Sequence, residues 1–152
     1  MRWMTASLLL LAGCGGANET TVPKSEATVT VASAAGTRVF EVDLADTVPE
    51  QAQGLKFRTD IAPDGGMLFA PYPAEGGGPR AANFWMKDTP SPLDILFIRA
   101  DGTIARIAEN TVPFSEAPVP SEEPVAAVLE IRGGRAGELG IAEGDRVRWT
   151  VH

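Results

Sequence analysis

Short apolar runs broken by glycine, proline and aspartate follow one another along most of the chain. Residues 39–44 alternate, with Phe40, Val42 and Leu44 on one side and Val39, Glu41 and Asp43 on the other, which is the period of a half-buried strand. Residues 28–32, 67–70, 83–86, 93–98, 103–108, 125–131 and 146–151 form further strand-like runs. Helical signals are few. Thr47-Val48-Pro49-Glu50 supplies an N-cap, a proline in the first turn and a glutamate three residues on, the elements of a capping box, and Gly54 closes that helix early. A second short helix fits residues 133–139, ahead of Gly140. Gly76-Gly77-Gly78 makes residues 74–79 a loop, and the four prolines and three glutamates of residues 113–124 predict a long surface loop. Asp101-Gly102, between two apolar runs, predicts a two-residue type I′ hairpin. The pattern predicts a mainly β protein: a single β-rich barrel or sandwich-like domain with one or two short helices.

The amino-terminal end follows a different rule. One positive residue, Arg2, precedes an apolar stretch over residues 4–11, and small residues follow at Ala12 and Gly13. This is the build of a secretory signal, too short to span a bilayer as a stable helix. Leu11-Ala12-Gly13-Cys14 resembles the lipobox of bacterial lipoproteins. The resemblance implies cleavage before Cys14, a diacylglyceryl thioether on its sulfur and an acylated new amino terminus. Two or more acyl chains hold a protein firmly on a membrane. Gly15 after the cysteine, by the same resemblance, favours the outer membrane, with the folded part facing the periplasm. On this reading residues 1–13 are the signal peptide, 14–27 a lipidated tether poor in apolar residues, and 28–152 the domain. A domain of about 125 residues buries about two-thirds of its unfolded surface. Cys14 is the only cysteine, so no disulfide forms within the chain.

Charge and residue inventory narrow the chemistry. Thirteen basic side chains against 20 acidic ones give a net charge of −7, contrary to the basic footprint that nucleic acid demands. The expected partners are the membrane, through the anchor at Cys14, and a small-molecule or glycan ligand. The one histidine is the last residue, His152, so a Ser-His or Cys-His nucleophile is not available. Met67 and Met86, without a companion cysteine, read as core residues rather than soft-metal ligands. No metal and no cofactor is expected, and Gly76–Gly78 lacks the lysine and hydroxyl residue of a phosphate loop.

Phe84-Trp85-Met86-Lys87-Asp88-Thr89, followed by Pro92-Leu93-Asp94-Ile95-Leu96-Phe97-Ile98, resembles the signature of a bacterial and archaeal family, domain of unknown function 192. Gly54-Leu55 with Phe57-Arg58, and Gly66-Met67-Leu68-Phe69, resemble the family's earlier blocks. Val128-Leu129-Glu130-Ile131, Gly140-Ile141 and Gly144-Asp145-Arg146-Val147 resemble its closing block. Lys56 stands where many relatives carry Met, and Asp88 where many carry Asn. The resemblance implies a small β-rich domain and no particular activity.

Six residues are candidates for a ligand site: Arg58, Trp85, Lys87, Asp88, Thr89 and Asp94. Trp85 is either a core residue whose indole N–H meets a carbonyl or an exposed platform for a sugar or aromatic ligand. Asp94 interrupts an apolar strand. A lone buried carboxyl is costly, so it should be met by Arg58, Lys87 or N–H groups near Thr89, as a structural clamp or as part of a ligand site. Two functions from different classes fit: a binding module of the cell envelope, or an envelope carbohydrate hydrolase or lyase using Asp94 or Asp88, paired together or with Glu109, as acid and base.

Overall fold

The computed structural model describes residues 24–152. The signal segment, Cys14 and most of the expected tether lie outside the described residues. In chain order the elements are β1 (Glu26–Ser33), β2 (Gly36–Ala45), α1 (Val48–Gln53), β3 (Gly66–Phe69), β4 (Arg80–Phe84), β5 (Leu93–Ile98), β6 (Ile104–Ala108), β7 (Val119–Val125), β8 (Ala127–Arg132), α2 (Arg135–Leu139) and β9 (Arg146–Val151). The protein is mainly β, as the sequence predicts. The first strand opens at Glu26, two residues ahead of the expected boundary.

Seven strands form one sheet in the order β6-β5-β8-β3-β2-β1-β9, and β4 pairs with β7 in a separate two-stranded sheet. The large sheet curls until its edges touch. Thr103 bridges Arg146, and backbone bonds join Ile104 N–H to Asp145 O (2.9 Å) and Val147 N–H to Gly102 O (2.8 Å). The inner face packs Val29, Val31, Phe40, Val42, Leu44, Leu68, Leu96, Ile98, Leu129 and Ile131 into one core. The outer face of the central strands carries a second core of Met67, Phe69, Ile95, Phe97 and Val128, covered by Leu55, Ala82, Met86 and Val125.

This double cover explains the hydrophobic pattern. Residues of β5 are buried at every position and those of β8 at all but the last, because both faces of these strands are packed. β2 alternates because its outer face meets water. Burial of each large apolar side chain contributes about 1.5–3 kcal/mol. At Gly66, β3 and β8 leave no room for a side chain: a Cβ there would stand 2.0 Å from the Glu130 carbonyl oxygen.

Three expectations need correction. Residues 119–125, expected within a surface loop, are strand β7, with Pro120 opposite Asn83 and Pro124 opposite Ala81. Proline is tolerated there because a two-stranded sheet has only edge strands. At the irregularity Ser121 Oγ accepts the Ala82 N–H (2.8 Å) and donates to Glu123 O (2.6 Å), replacing ladder bonds. The hairpin after β5 is not a two-residue loop. Gly102 N–H closes a turn onto Arg99 O, and Arg99 N–H bonds Thr103 O (both 2.9 Å). Gly102 alone takes positive φ (85°) in that turn, whereas type I′ requires Asp101 there too. The Asp101 carboxyl instead accepts the Thr103 N–H and hydroxyl. Finally, β4 covers Arg80–Phe84 rather than residues 83–86, so Trp85 lies beyond the strand. The capping box on α1 forms as expected, Thr47 Oγ1 accepting from Glu50 N–H and the Glu50 carboxyl from Thr47 N–H.

Candidate functional site

A cavity of about 370 Å³ opens on the outer face of the large sheet, within the size range of small-molecule sites. One wall is the end of α1 and the residues after it, Gln53 to Lys56. Another is the segment Tyr72-Pro73 with Glu75, and a third is β4 with Trp85, Lys87 and Thr89. Phe69 and Glu130, from the sheet itself, form the floor.

The walls are held from several sides. Gln51 Nε2 donates to the carbonyls of Ala45 (3.0 Å) and Pro71 (2.7 Å), while its Oε1 accepts the Ala74 N–H, tying α1 to the next loop. Phe84 sits at the centre of an aromatic group, with ring centroids 5.2 Å from Phe69 and 5.8 Å from both Tyr72 and Phe97. The turn after β4 is gripped on both flanks: Phe57 N–H bonds Asp88 O (2.8 Å) and Phe114 N–H bonds Thr89 O (3.0 Å). Phe57 (φ 63°), Asp88 (φ 55°) and Phe114 (φ 61°) all take a backbone conformation uncommon for non-glycine residues.

Trp85 is the exposed alternative of the two open to it, 48% accessible at the cavity mouth. Lys87 Nζ lies 5.3 Å from the centre of its ring and 3.4 Å from Glu116. Thr89 is buried, and its hydroxyl donates to Lys87 O. These three sequence candidates meet in one cavity.

Arg58, Asp88 and Asp94 do not line it. Arg58 turns to a smaller depression on the other side of Leu55, donating to Asp60 (2.8 Å) and Asp43 (3.1 Å). The Asp60 bond raises the guanidinium further above its ordinary value and lowers the Asp60 carboxyl. Asp88 contributes its carbonyl to the turn. Asp94 shares the inner face of β5 with Leu96 and Ile98, opposite to the cavity, and is wholly inaccessible. Its expected partners were Arg58, Lys87 or N–H groups near Thr89; the structure supplies others. Oδ1 accepts from Asn110 N–H (2.8 Å) and Gly134 N–H (2.9 Å), and Oδ2 from Ala136 N–H (2.8 Å). Gly134, the N-cap of α2, has no side chain to cap it. Asp94 does that from a neighbouring strand, as a clamp between β5, Asn110 beyond the end of β6, and α2.

The residue that sequence reasoning missed is Glu130. It lies on the outer face of β8 between Met67 of β3 and Ile95 of β5, both apolar. It is 4% exposed, and its carboxyl makes no hydrogen bond among the described residues. Burial alone pushes it up from 4.5 to about 8, so it is mainly protonated at neutral pH. The signal was available: a single acid inside the apolar run of residues 125–131, the same argument that singles out Asp94. Among the described residues no group of three His, Cys, Asp or Glu side chains is placed to hold a metal ion.

Comparison with known proteins is consistent with this architecture. No protein of curated function matches the chain. A crystal structure of a Sinorhizobium meliloti 1021 protein, there proposed as a transcription regulator, is 45% identical with a TM-score of 0.76, over 84% of this chain and 96% of that one. A protein of unknown function from Novosphingobium aromaticivorans DSM 12444 is 42% identical with a TM-score of 0.77, over 91% of this chain and all of the other. The family model of domain of unknown function 192, described as an uncharacterized ACR, matches residues 29–149. With its signature blocks, its fold and a family match over most of its length, the chain belongs to the domain of unknown function 192 family.

Proposed function

We propose that this protein is a lipid-anchored protein of the cell envelope whose β domain binds a small molecule, a glycan fragment among the classes that fit, in the cavity beneath Trp85. The observation that carries the binding reading is the cavity itself: an aromatic wall, a half-exposed indole at the mouth, polar groups at Asn83, Thr89 and Glu130, and charged residues Lys56, Glu75, Arg80 and Lys87 around them. Concave sites that combine aromatic walls with placed polar groups are how small ligands are recognised. The envelope reading rests on Leu11-Ala12-Gly13-Cys14 after a short apolar stretch. The transcription-regulator description of one relative finds no support in the charge of this chain, 20 acidic against 13 basic residues.

A thermal-shift screen of the full chain against sugars, amino compounds and aromatic small molecules tests the binding reading. Ligands should raise the melting temperature of the wild type and lose that effect in Trp85→Ala, whose own stability should change little because the indole is half exposed. Failure of every compound to shift the protein would refute it. For the anchor, labelled palmitate should enter the wild type and not Cys14→Ser, with equal labelling counting against it.

One observation favours a hydrolytic second reading. A carboxyl held protonated near neutral pH in a cavity is the form a general acid takes. On this reading Glu130 would be the proton donor, since the Asp94 oxygens are occupied by backbone N–H groups on the opposite sheet face. Turnover of a bound glycan, lost in Glu130→Gln, would establish it; binding without product supports the module.

A further inference from the structure

We propose that the ligand of this cavity carries an ammonium group that seats on the Glu130 carboxylate while its apolar or sugar body lies along the aromatic wall. The inference rests on the small-ligand reading above and names the ligand class.

The first step is a count of counter-charges. The charged groups around the cavity are Lys56 from the segment after α1, Glu75 from the Tyr72–Glu75 segment, Arg80 from β4 and Lys87 from the following turn; the flanking strands present only Met67 and Ile95 to Glu130. Arg80 is paired with Glu75, Lys87 with Glu116, and Lys56 Nζ donates to Ala52 O (2.9 Å). None hydrogen-bonds Glu130. Among the described residues no cation is paired with Glu130, which leaves its charged form open to a cation brought by a ligand.

The second step concerns residue choice. A carboxylate at the floor of a cavity, flanked by apolar side chains and without a hydrogen bond from the protein, is unfavourable in its charged form. A site for a neutral ligand would be served by glutamine, which offers a donor and an acceptor without an ionisable group. Glutamate is useful where its charge is used. The third step is the wall. Phe69, Tyr72, Phe84 and Trp85 line the same cavity, and aromatic faces attract an ammonium ion through their quadrupoles.

The protonation balance follows. In the empty protein the carboxyl holds its proton at neutral pH. When a ligand R–NH₃⁺ enters, the carboxyl gives that proton to solvent and the carboxylate–ammonium pair forms, a pair with no net charge. Binding therefore releases close to one proton per ligand at pH 7, and affinity rises about tenfold per pH unit below about pH 8.

Paired probes test this: phenethylamine with phenethyl alcohol, cyclohexylmethylamine with cyclohexylmethanol, and glucosamine with glucose. Titration calorimetry of the full chain in phosphate and in MOPS at pH 7, two buffers of different ionisation heat and without a primary amine, reads the proton directly. At least one amine should bind at least tenfold more tightly than its hydroxyl partner, with a buffer-dependent heat corresponding to nearly one proton released. Glu130→Gln, an isosteric change, should abolish the proton release and the pH dependence and weaken amine binding at least tenfold. Glu130→Leu, with an apolar floor, should do the same if the glutamine variant folds poorly. If hydroxyl partners bind as well as amines with no proton released, or if the amines bind Glu130→Gln unchanged, the ammonium proposal is overturned while the cavity remains a ligand site. If none of these probes binds and the wider screen also finds nothing, the small-ligand reading itself falls.

Discussion

Replacing Glu130 by Gln isolates one titration in a protein with 20 acidic side chains. In the folded state the Glu130 carboxyl is raised from 4.5 to about 8 by burial alone. In the unfolded chain it returns to the ordinary glutamate range. Because the folded value is the higher one, the folded state binds a proton that the unfolded state has lost. The contribution of the group is therefore fully present below about pH 4.5 and is lost as pH rises through 8. Each pH unit between those values costs about 1.4 kcal/mol, so crossing the interval removes on the order of 5 kcal/mol. Gln resembles the protonated acid in shape and hydrogen bonding and does not titrate. Urea unfolding at pH 5, 6, 7, 8 and 9, followed by tryptophan fluorescence, should show the two proteins close together at pH 5. The glutamine variant should gain steadily on the wild type up to pH 8. All other groups titrate alike in both, so the difference belongs to Glu130. Parallel stability curves across this range would refute the reasoning, as they require a carboxyl that ionises freely in the folded protein.

Asp94→Ala should destabilise by about 3–5 kcal/mol in denaturant unfolding, since it orphans the buried N–H of Ala136 and the partly buried N–H groups of Asn110 and Gly134. Asp94→Asn should rescue little, because an amide NH₂ cannot accept the bond that one of the two oxygens now takes; full stability in either variant would count against the clamp. Gly66→Ala should abolish cooperative unfolding, judged by circular dichroism, because its methyl group would stand 2.0 Å from a backbone oxygen of a neighbouring strand. Gly102→Val should cost about 1–3 kcal/mol, read as a lower melting temperature, since φ is 85° and a Cβ would meet Val147 O at 3.0 Å.

Much of the architecture can be read along the chain, and the exceptions share a cause. The alternation of Phe40, Val42 and Leu44, the capping box at Thr47 and Glu50, and the continuous apolar runs of β5 and β8 follow from local period and composition. Local pattern misled at Val119–Val125, where Pro120 and Pro124 read as loop residues. Their missing N–H groups matter only inside a sheet, and whether a strand lies inside or at an edge is not a local property. The Asp101-Gly102 turn was located correctly but not its type, because the pairing of Arg99 with Thr103 depends on the irregularity between Phe97 and Ile98 in the ladder.

The candidate site divides the same way. Trp85, Lys87 and Thr89 are neighbours in sequence, and one turn carries all three to the cavity. Asp94 and Glu130 are each a lone acid in an apolar strand, indistinguishable by pattern. The apolar neighbours on the strand predict burial of Asp94 from sequence alone; Glu130 carries the same signal and was missed. Only the tertiary structure decided their fates. Strand pairing points Asp94 to the inner face, where Asn110 beyond β6, Gly134 at the N-cap of α2 and Ala136 within α2 supply three backbone donors. The same pairing points Glu130 to the outer face, between Met67 and Ile95, where no group among the described residues hydrogen-bonds it and a cavity opens above. The reason is geometric: side chains one residue apart on a strand face opposite sides of the sheet, and what waits on each side is supplied by residues far away in the chain.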